Sequence, residues 1–362
     1  MTVTIDGVKL TIEGVVRVAR LGANGRYEKA ALSAKAREKI SATRAFIDQN
    51  WMHDDAPLMY SFNTGVGLFK DQRVLMADMA AYQTKSIYAH ATGIGEPLDE
   101  EVVRATMLLR ANAFASNYSG PRVEVVDRLL DFLNKGLVPV IPAKGSVGAS
   151  GDLAPLAHMS GAICGFPEAE IIYKGKRMPA RDAIKKAGLE VDFVLHAKDA
   201  SALINGSTVS LAIAVLALYD ARRIRKAADI GMSLSLEAMR GELAAFDARV
   251  HKARPHEGQR KIAGNIRKIT EGSKRCSAEA RETLYPDEAR AAGKSPPPRV
   301  QDVYSLRCAP QVHGPVLEAL DYATKIISTE INSATDNPLI FENDDGSSVI
   351  ISGGHFLSLI HI

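Results

Sequence analysis

Apolar positions recur at helical spacing along most of the chain and alternate in only a few short stretches. Residues 29–50 carry Ala31, Leu32, Ile40, Phe46 and Ile47 with few breakers, which predicts a long helix. Residues 123–135 show a stronger stripe in Val125, Leu129, Leu130, Phe132 and Leu133. Further helices are predicted over 11–20, 74–88, 99–117, 153–164 and 179–187, and long proline-free ones over 207–225 and 230–246. Strand signals fall at 3–10 and 170–178, each read as a small hairpin, around Asp6-Gly7 and Lys174-Gly175 respectively. The pattern is mainly α, with small β-hairpins.

Composition narrows the function classes. The 362 residues suffice for a large core or two domains, and the net charge of +3 leaves no nucleic-acid footprint. The cluster Arg222, Arg223, Arg225, Lys226 lies within a helical pattern and reads as a solvated face. Cys164, Cys276 and Cys308 are far apart without C-x-x-C spacing, which argues against a disulfide framework or a zinc site and fits a reducing cytoplasm. His256 and Glu257 lack a third spaced ligand, so no metal is expected. The N-terminus shows no signal-peptide pattern, and no apolar run is long enough to span a membrane.

The helical pattern breaks at Lys144-Gly145-Ser146-Val147-Gly148-Ala149-Ser150-Gly151-Asp152-Leu153-Ala154-Pro155-Leu156-Ala157-His158. Gly145, Gly148 and Gly151 allow turns that a side chain would block, and Asp152 stands at an N-cap position. A phosphate-cradling loop is one reading. It fits poorly, because the order does not complete G-x-x-x-x-G-K-[ST] and no β-branched strand feeds the loop. Ala149-Ser150-Gly151 permits a different chemistry. If the loop is compressed, the Gly151 nitrogen can attack the Ala149 carbonyl carbon and close a five-membered ring with loss of water. A second dehydration removes the Ser150 hydroxyl and leaves an exocyclic methylidene, an electrophile made from the chain itself.

The fourteen residues from Gly145 to His158 resemble the signature of the histidine/aromatic amino acid ammonia-lyases, which carry that ring as 4-methylideneimidazol-5-one (MIO). The loop Tyr60-Ser61-Phe62-Asn63-Thr64-Gly65-Val66-Gly67 is similar to the family's Tyr-Gly-x-Asn-Thr-Gly-Phe-Gly, whose tyrosine is the proposed base; Ser61 and Val66 depart from it. Ser61 is expected to alter the backbone angles, and Val66 to remove aromatic packing. Ala89-His90 falls on the family's selectivity pair. That pair is Ser-His in histidine lyases, His-Leu in tyrosine lyases and Phe-Leu in phenylalanine lyases, so His90 occupies the histidine-lyase slot. A protein imidazole there can pair with a substrate imidazole through complementary tautomers.

Leu203-Ile204-Asn205-Gly206-Ser207-Thr208 resembles the family's Leu-Asn-Gly-Thr and assigns Asn205 to the site. Read without the family, it is an Asn-Gly turn ahead of a helix. Gln301-Asp302-Val303-Tyr304-Ser305-Leu306-Arg307-Cys308-Ala309-Pro310-Gln311-Val312-His313-Gly314 resembles a further signature. It implies that Arg307 binds the substrate carboxylate, that Tyr304 orients the adduct, and that Gln301 is a substrate contact. Tyr304 and Arg307 would share a helical face. Glu330-Ile331-Asn332-Ser333-Ala334-Thr335-Asp336-Asn337-Pro338 matches another family stretch, and Ser352-Gly353-Gly354-His355-Phe356 begins one more, with Phe356 a further substrate contact.

The resemblance implies a fumarase/aspartase-like bundle of long helices with its C-terminal part missing. Residues 1–200 would form the MIO-bearing domain, 201–356 the start of the central bundle, and 357–362 a non-native tail matching a translated sequencing-adapter end. It implies a homotetramer with shared sites, no cofactor beyond the self-made MIO, and elimination of ammonia from L-histidine to give urocanate. Two rivals stand beside it. One is an inactive fragment or non-catalytic assembly subunit, since a further acidic or amide site residue lies beyond this chain. The other is a tyrosine or phenylalanine lyase, or an MIO aminomutase.

Overall fold

The computed structural model describes residues 2–277, 301–343 and 347–353. The three consecutive prolines at 296–298, Phe356 and residues 357–362 lie outside the described residues. The chain forms two compact units, Met1–Leu216 with Ile327–Ile362, and Ala217–Ile326.

In the first unit, β1 (Thr2–Ile5) pairs in parallel with β2 (Lys29–Leu32), and α1 (Ile12–Ala19) lies between them in sequence. This corrects the expected 3–10 hairpin. Asp6 does make a turn, accepting the Val8 and Lys9 N–H groups at 2.9 Å each, but the chain runs on into α1 instead of doubling back. It also moves the start of the next helix. Ser33 accepts the Ala36 N–H at 3.2 Å, so α2 spans Ala34–Trp51 and 29–32 is strand. A 3₁₀ turn at Met76–Asp78 similarly delays α3 to Met79–His90, followed by β3 (Ile94–Pro97).

Helix α4 (Glu100–Ala115) is the hub, buried at every position from 102 to 115. Such a helix must be apolar all round or carry fully satisfied polar groups. Here Arg104 donates to Val18 O at 2.8 and 3.0 Å and to Leu133 O at 3.2 Å. Those are last-turn carbonyls of α1 and of α5 (Val123–Lys135), groups a helix cannot satisfy internally. Helix α5 keeps its predicted bounds and ends at Gly136, whose φ of +74° suits a left-handed cap.

Two short strands follow, β4 (Leu137–Pro139) and β5 (Pro142–Lys144), and β5 pairs antiparallel with β3. Helix α6 (Leu153–Ile163) ends where Arg128 donates to Ile163 O at 3.0 and 3.1 Å. The second expected hairpin is present as β6 (Glu170–Tyr173) and β7 (Lys176–Pro179), with β4 as a third strand beside β6. Helices α7 (Ala180–Lys186) and α8 (Asp199–Ile204) lead to α9 (Thr208–Ala238). One helix therefore stands where the periodicity suggested two, because no glycine or proline separates them. It stops short of the predicted end, since Gly241 intervenes and Leu243–Phe246 is a 3₁₀ turn. A hairpin of Leu339–Glu342 and Ser348–Ile351 was not anticipated.

The second unit holds α10 (Ala248–Ala253), α11 (Glu257–Ile269), the short helix Tyr304–Arg307 and most of the helix Ala309–Glu330. Leu236, Phe246, Ile262, Ile266, Cys276, Leu306 and Ala309 pack as its core. Among the described residues, no helix is long and apolar enough to cross a membrane.

Candidate active site

The glycine-rich loop has the backbone its sequence requires. Gly148 and Gly151 have φ of +76° and +75°, where a β-carbon would be strained. The Val147 N–H donates to Gly151 O at 3.0 Å and the Gly151 N–H to Gly148 O at 3.2 Å, which folds the loop back on itself. Outside it lies the Asn-Gly turn. The Gly206 N–H donates to Ser150 O at 3.1 Å, and the Asp152 N–H donates to Gly206 O at 2.9 Å. Asp152 precedes α6 as expected, but its carboxylate does not cap that helix. It accepts the Ser146 hydroxyl at 2.6 Å, the Ser210 hydroxyl at 2.9 Å and the Ser210 N–H at 2.8 Å. The carboxylate thus ties the loop to the first turn of α9, where a negative charge is favoured.

The Tyr60 loop is held from beneath. The Asn63 side chain is fully buried, donates to Trp51 O at 3.0 Å and Pro57 O at 2.9 Å, and accepts the Met59 N–H at 2.7 Å. Phe62 stacks edge-on against Trp51, with centroids 5.2 Å apart. Ser61 adopts a left-handed backbone of the kind glycine favours, with φ +66°. Its N–H donates to Thr64 Oγ1 at 3.1 Å and its hydroxyl to Ser201 Oγ at 2.7 Å, which offsets part of the strain. The Val66 N–H donates to the Tyr82 hydroxyl at 3.1 Å, and the Gly67 N–H to the Tyr60 hydroxyl at 3.5 Å.

A cavity of about 220 Å³ lies between these loops, with Tyr60, His90, Ser150 and Asn205 in its wall. The structure brings these four predicted residues together, although they are far apart in sequence. Ala149 and Gly151 flank Ser150 without side-chain bulk, and Ser150 faces the cavity. His90 Nδ1 lies 2.7 Å from Ser86 O. A carbonyl only accepts, so Nδ1 donates, and in the neutral ring Nε2 is left as an acceptor. Asn205 Nδ2 donates to Asn337 O at 3.2 Å, leaving Oδ1 as a free acceptor.

Gln83, Ser86 and Asn337 also line the cavity and were missed as site residues. Gln83, Ser86 and His90 fall at i, i+3 and i+7 on α3, a polar stripe that periodicity could have shown. Gln83 accepts the Ala200 N–H at 2.9 Å, fastening α3 to α8. Asn337 lay inside a motif already noticed, with nothing to mark it out.

Gln301, Tyr304 and Arg307 belong to the second unit. Gln301 and Tyr304 are exposed there. The Arg307 guanidinium sits over the Tyr304 ring, 4.3 Å from its centroid, so the expected shared face exists. Its Nε donates to Asp302 O at 3.1 Å, which leaves both terminal nitrogens for another acceptor.

Behind the cavity lies a buried charge cluster. Lys198 and Asp336 are paired at 2.9 Å, with 0% and 1% of their side chains exposed. Ser119 donates to the other Asp336 oxygen at 2.5 Å. Burial pushes the Lys198 ammonium down, and Asp336 acts the other way. Arg110, also fully buried, is pushed down to about 10 by desolvation, opposed by Asp336 and Asp152, so it stays cationic at neutral pH. His158 on α6 accepts the Gly93 N–H at 3.0 Å, and burial pushes its imidazole below the ordinary value. A β-carbon on Gly93 would sit 3.2 Å from the His158 ring. This contact joins the His90 turn to the helix that starts at the glycine loop.

The arrangement matches known proteins. A family profile described as Aromatic amino acid lyase covers residues 10–359. Histidine ammonia-lyase of Caldanaerobacter subterraneus is 46% identical over 98% of this chain and 64% of the relative. The chain thus spans a little under two thirds of the length of the curated relatives it matches. Among solved structures, tyrosine aminomutase of Streptomyces globisporus superposes with a TM-score of 0.84 at 32% identity, over 99% of this chain and 66% of the other. Histidine ammonia-lyase of Trypanosoma cruzi gives 0.81 at 32% identity, over 98% and 61%. With the MIO-type loop, its flanking motifs and the mainly helical fold all in agreement, the chain belongs to the aromatic amino acid lyase family.

Proposed function

We propose that the complete protein is a histidine ammonia-lyase, converting L-histidine to urocanate and ammonia. The observation that carries this is the single cavity joining Ser150 to Tyr60, Asn205 and a His90 of fixed tautomer. His90 Nε2 accepts the N–H of a substrate imidazole, while the short side chain of Ser86 leaves room for the ring. Tyr60 takes the β-proton onto its phenolate oxygen. Its hydroxyl already accepts the Gly67 N–H at 3.5 Å, which orients it toward the cavity. Asn205 Oδ1 accepts from the substrate ammonium and orients it.

Ala149-Ser150-Gly151 fit the MIO group: the flanks are small, Gly151 already has a left-handed backbone, and Ser150 faces the cavity. When formed, MIO supplies an electrophile that turns the amine into a better leaving group. Arg307 forks onto the substrate carboxylate. Tyr304, Gln301 and Phe356 complete the site in a homotetramer whose subunits share sites. A cytoplasmic location is part of the proposal and rests on the three scattered cysteines without C-x-x-C spacing.

Peptide mass spectrometry across Ala149-Ser150-Gly151 tests the electrophile: a peptide lighter by two waters is expected, and its absence from the full-length protein would refute the reading. Ser150→Ala should abolish the mass loss and nearly all turnover. Ultraviolet assay with histidine, tyrosine and phenylalanine should show preference for histidine. A preference for tyrosine would overturn the role given to His90. The likeness to tyrosine aminomutase makes the β-amino acid the competing product, and its accumulation would replace the lyase assignment.

A further inference from the structure

Arg110 is wholly buried on α4, and its guanidinium reaches three other segments. Nη1 donates to Thr208 Oγ1 and Thr335 Oγ1, each at 3.1 Å. Nη2 donates to Ala202 O and, at 2.6 Å, to Asn205 O. Part of this is the helix-capping service that Arg104 and Arg128 perform elsewhere, here at the end of α8. The second carbonyl sets Arg110 apart. Asn205 C=O and Gly206 N–H are opposite ends of one peptide unit. That N–H donates to Ser150 O at 3.1 Å. A buried cation therefore holds one end of a rigid plane whose other end holds the central carbonyl of Ala149-Ser150-Gly151.

The fit around this plane is tight. Gly206 has φ +134°, and a β-carbon there would lie 2.9 Å from Arg110 Nη1 and 2.8 Å from Thr335 Oγ1. A positive charge on the carbonyl end also polarises the peptide and strengthens its N–H as a donor.

We propose that Arg110 is a positioning residue for self-condensation of the loop, acting through the Asn205–Gly206 peptide to fix the Ser150 carbonyl while the atoms on either side of it join. The reaction balances within the chain. The Gly151 nitrogen bonds to the Ala149 carbonyl carbon. The Ala149 oxygen leaves as water with the Gly151 and Ser150 amide hydrogens, and a carbon–nitrogen double bond forms to the Ser150 nitrogen. The Ser150 hydroxyl then leaves with the Ser150 α-hydrogen as a second water, forming the methylidene. No oxidant or reductant is required. Ser150 O stays as the ring carbonyl, so its bond from Gly206 lasts through both steps.

This inference rests on the reading of Ala149-Ser150-Gly151 as a self-condensing triplet, and two readouts separate the two. Parent, R110K and R110M chains are compared by the time course of two-water loss after expression, and by amide hydrogen exchange at Gly206 and Asp152. Helix α5 serves as the folded reference. R110M is expected to lose ring formation by at least about tenfold, the scale of one charge-assisted hydrogen bond, and to expose the Gly206 and Asp152 amides while α5 stays protected. R110K keeps the charge without the planar fork and should fall between parent and R110M. A folded R110M with parental ring formation and parental Gly206 protection overturns the proposal. If R110M does not fold, parental values in R110K overturn it. With the variants made in the full-length protein, a parent that shows no ring refutes the functional reading, and Gly206 exchange alone decides whether Arg110 holds that peptide.

Discussion

Replacing Lys198 by Met would remove one half of an ion pair with almost no access to water. At 2.9 Å and an effective dielectric near 20, the Coulomb attraction is about 6 kcal/mol, most of it consumed by desolvation of the two groups. The net worth of the intact pair is therefore small, whereas breaking it is severe. In K198M the Asp336 carboxylate would keep the Ser119 hydroxyl and the more distant charge of Arg110, and a buried charge that loses its direct partner destabilises by about 3–5 kcal/mol. That is a large share of the ~5–15 kcal/mol that stabilises an ordinary domain. D336N should lose a similar amount by stranding the ammonium. The double variant K198M/D336L replaces the pair with apolar groups and should lose no more than either single one. The assay is urea unfolding at neutral pH, with the three midpoints compared at constant slope. A loss below ~1 kcal/mol in K198M, with the slope unchanged, would show that water reaches the pair and would refute the reasoning. Asp336 adjoins Asn337 in the cavity wall, so K198M should also weaken substrate binding.

Three further outcomes follow from the site. Because burial holds the His158 imidazole below 6.5, the folded chain binds fewer protons than the unfolded chain between that lowered value and 6.5. Stability should thus rise with pH through this window, be complete above it, and be lost as pH falls through the lowered value; H158N should flatten that part of the profile relative to parent, and an unchanged profile would remove His158 from it. G206A should destabilise by about 1–3 kcal/mol and stop two-water loss, since its β-carbon would meet Thr335 and Arg110; normal ring formation would show that the turn has slack. At position 61, S61A keeps the left-handed strain without the Ser201 hydrogen bond and should lose ~1 kcal/mol in thermal unfolding, while S61G should sit near parent; equal losses in both would mean that strain is not the issue.

The sequence made local chemistry legible and partnership much less so. Helix α5 matches its expected bounds because an apolar stripe runs through it and Gly136 follows its last residue. The strand Lys29–Leu32 was taken for helix because its partner is Thr2–Ile5, with a whole helix between them, and no local spacing reports a parallel pairing. The loops of Tyr60, Ser150 and Asn205 could be named from their motifs, but only the fold shows that they meet in one cavity. Ser61 is instructive in the opposite sense. A residue with a β-carbon sits there in a left-handed backbone, because Asn63, Phe62 and Thr64 fix the loop more firmly than one residue's preference can disturb.

Arg110 carries the same lesson into the chemistry. In sequence it is one arginine within the helical pattern of 99–117, with nothing local to mark it as buried. In the structure α4 is buried all round, and the positive charge inside it is useful because neighbouring helices end there and leave carbonyls without partners. Arg104 and Arg128 answer that need at three helix ends and otherwise stack over aromatic rings, Tyr27 for Arg104, Phe132 and Phe193 for Arg128. At the fourth, the carbonyl being answered belongs to the peptide that grips Ser150. A device for closing helix ends has thereby come to bear on the one tripeptide whose geometry must be forced. If the R110 variants behave as expected, the reactive loop is shaped as much by the helix beneath it as by its own glycines.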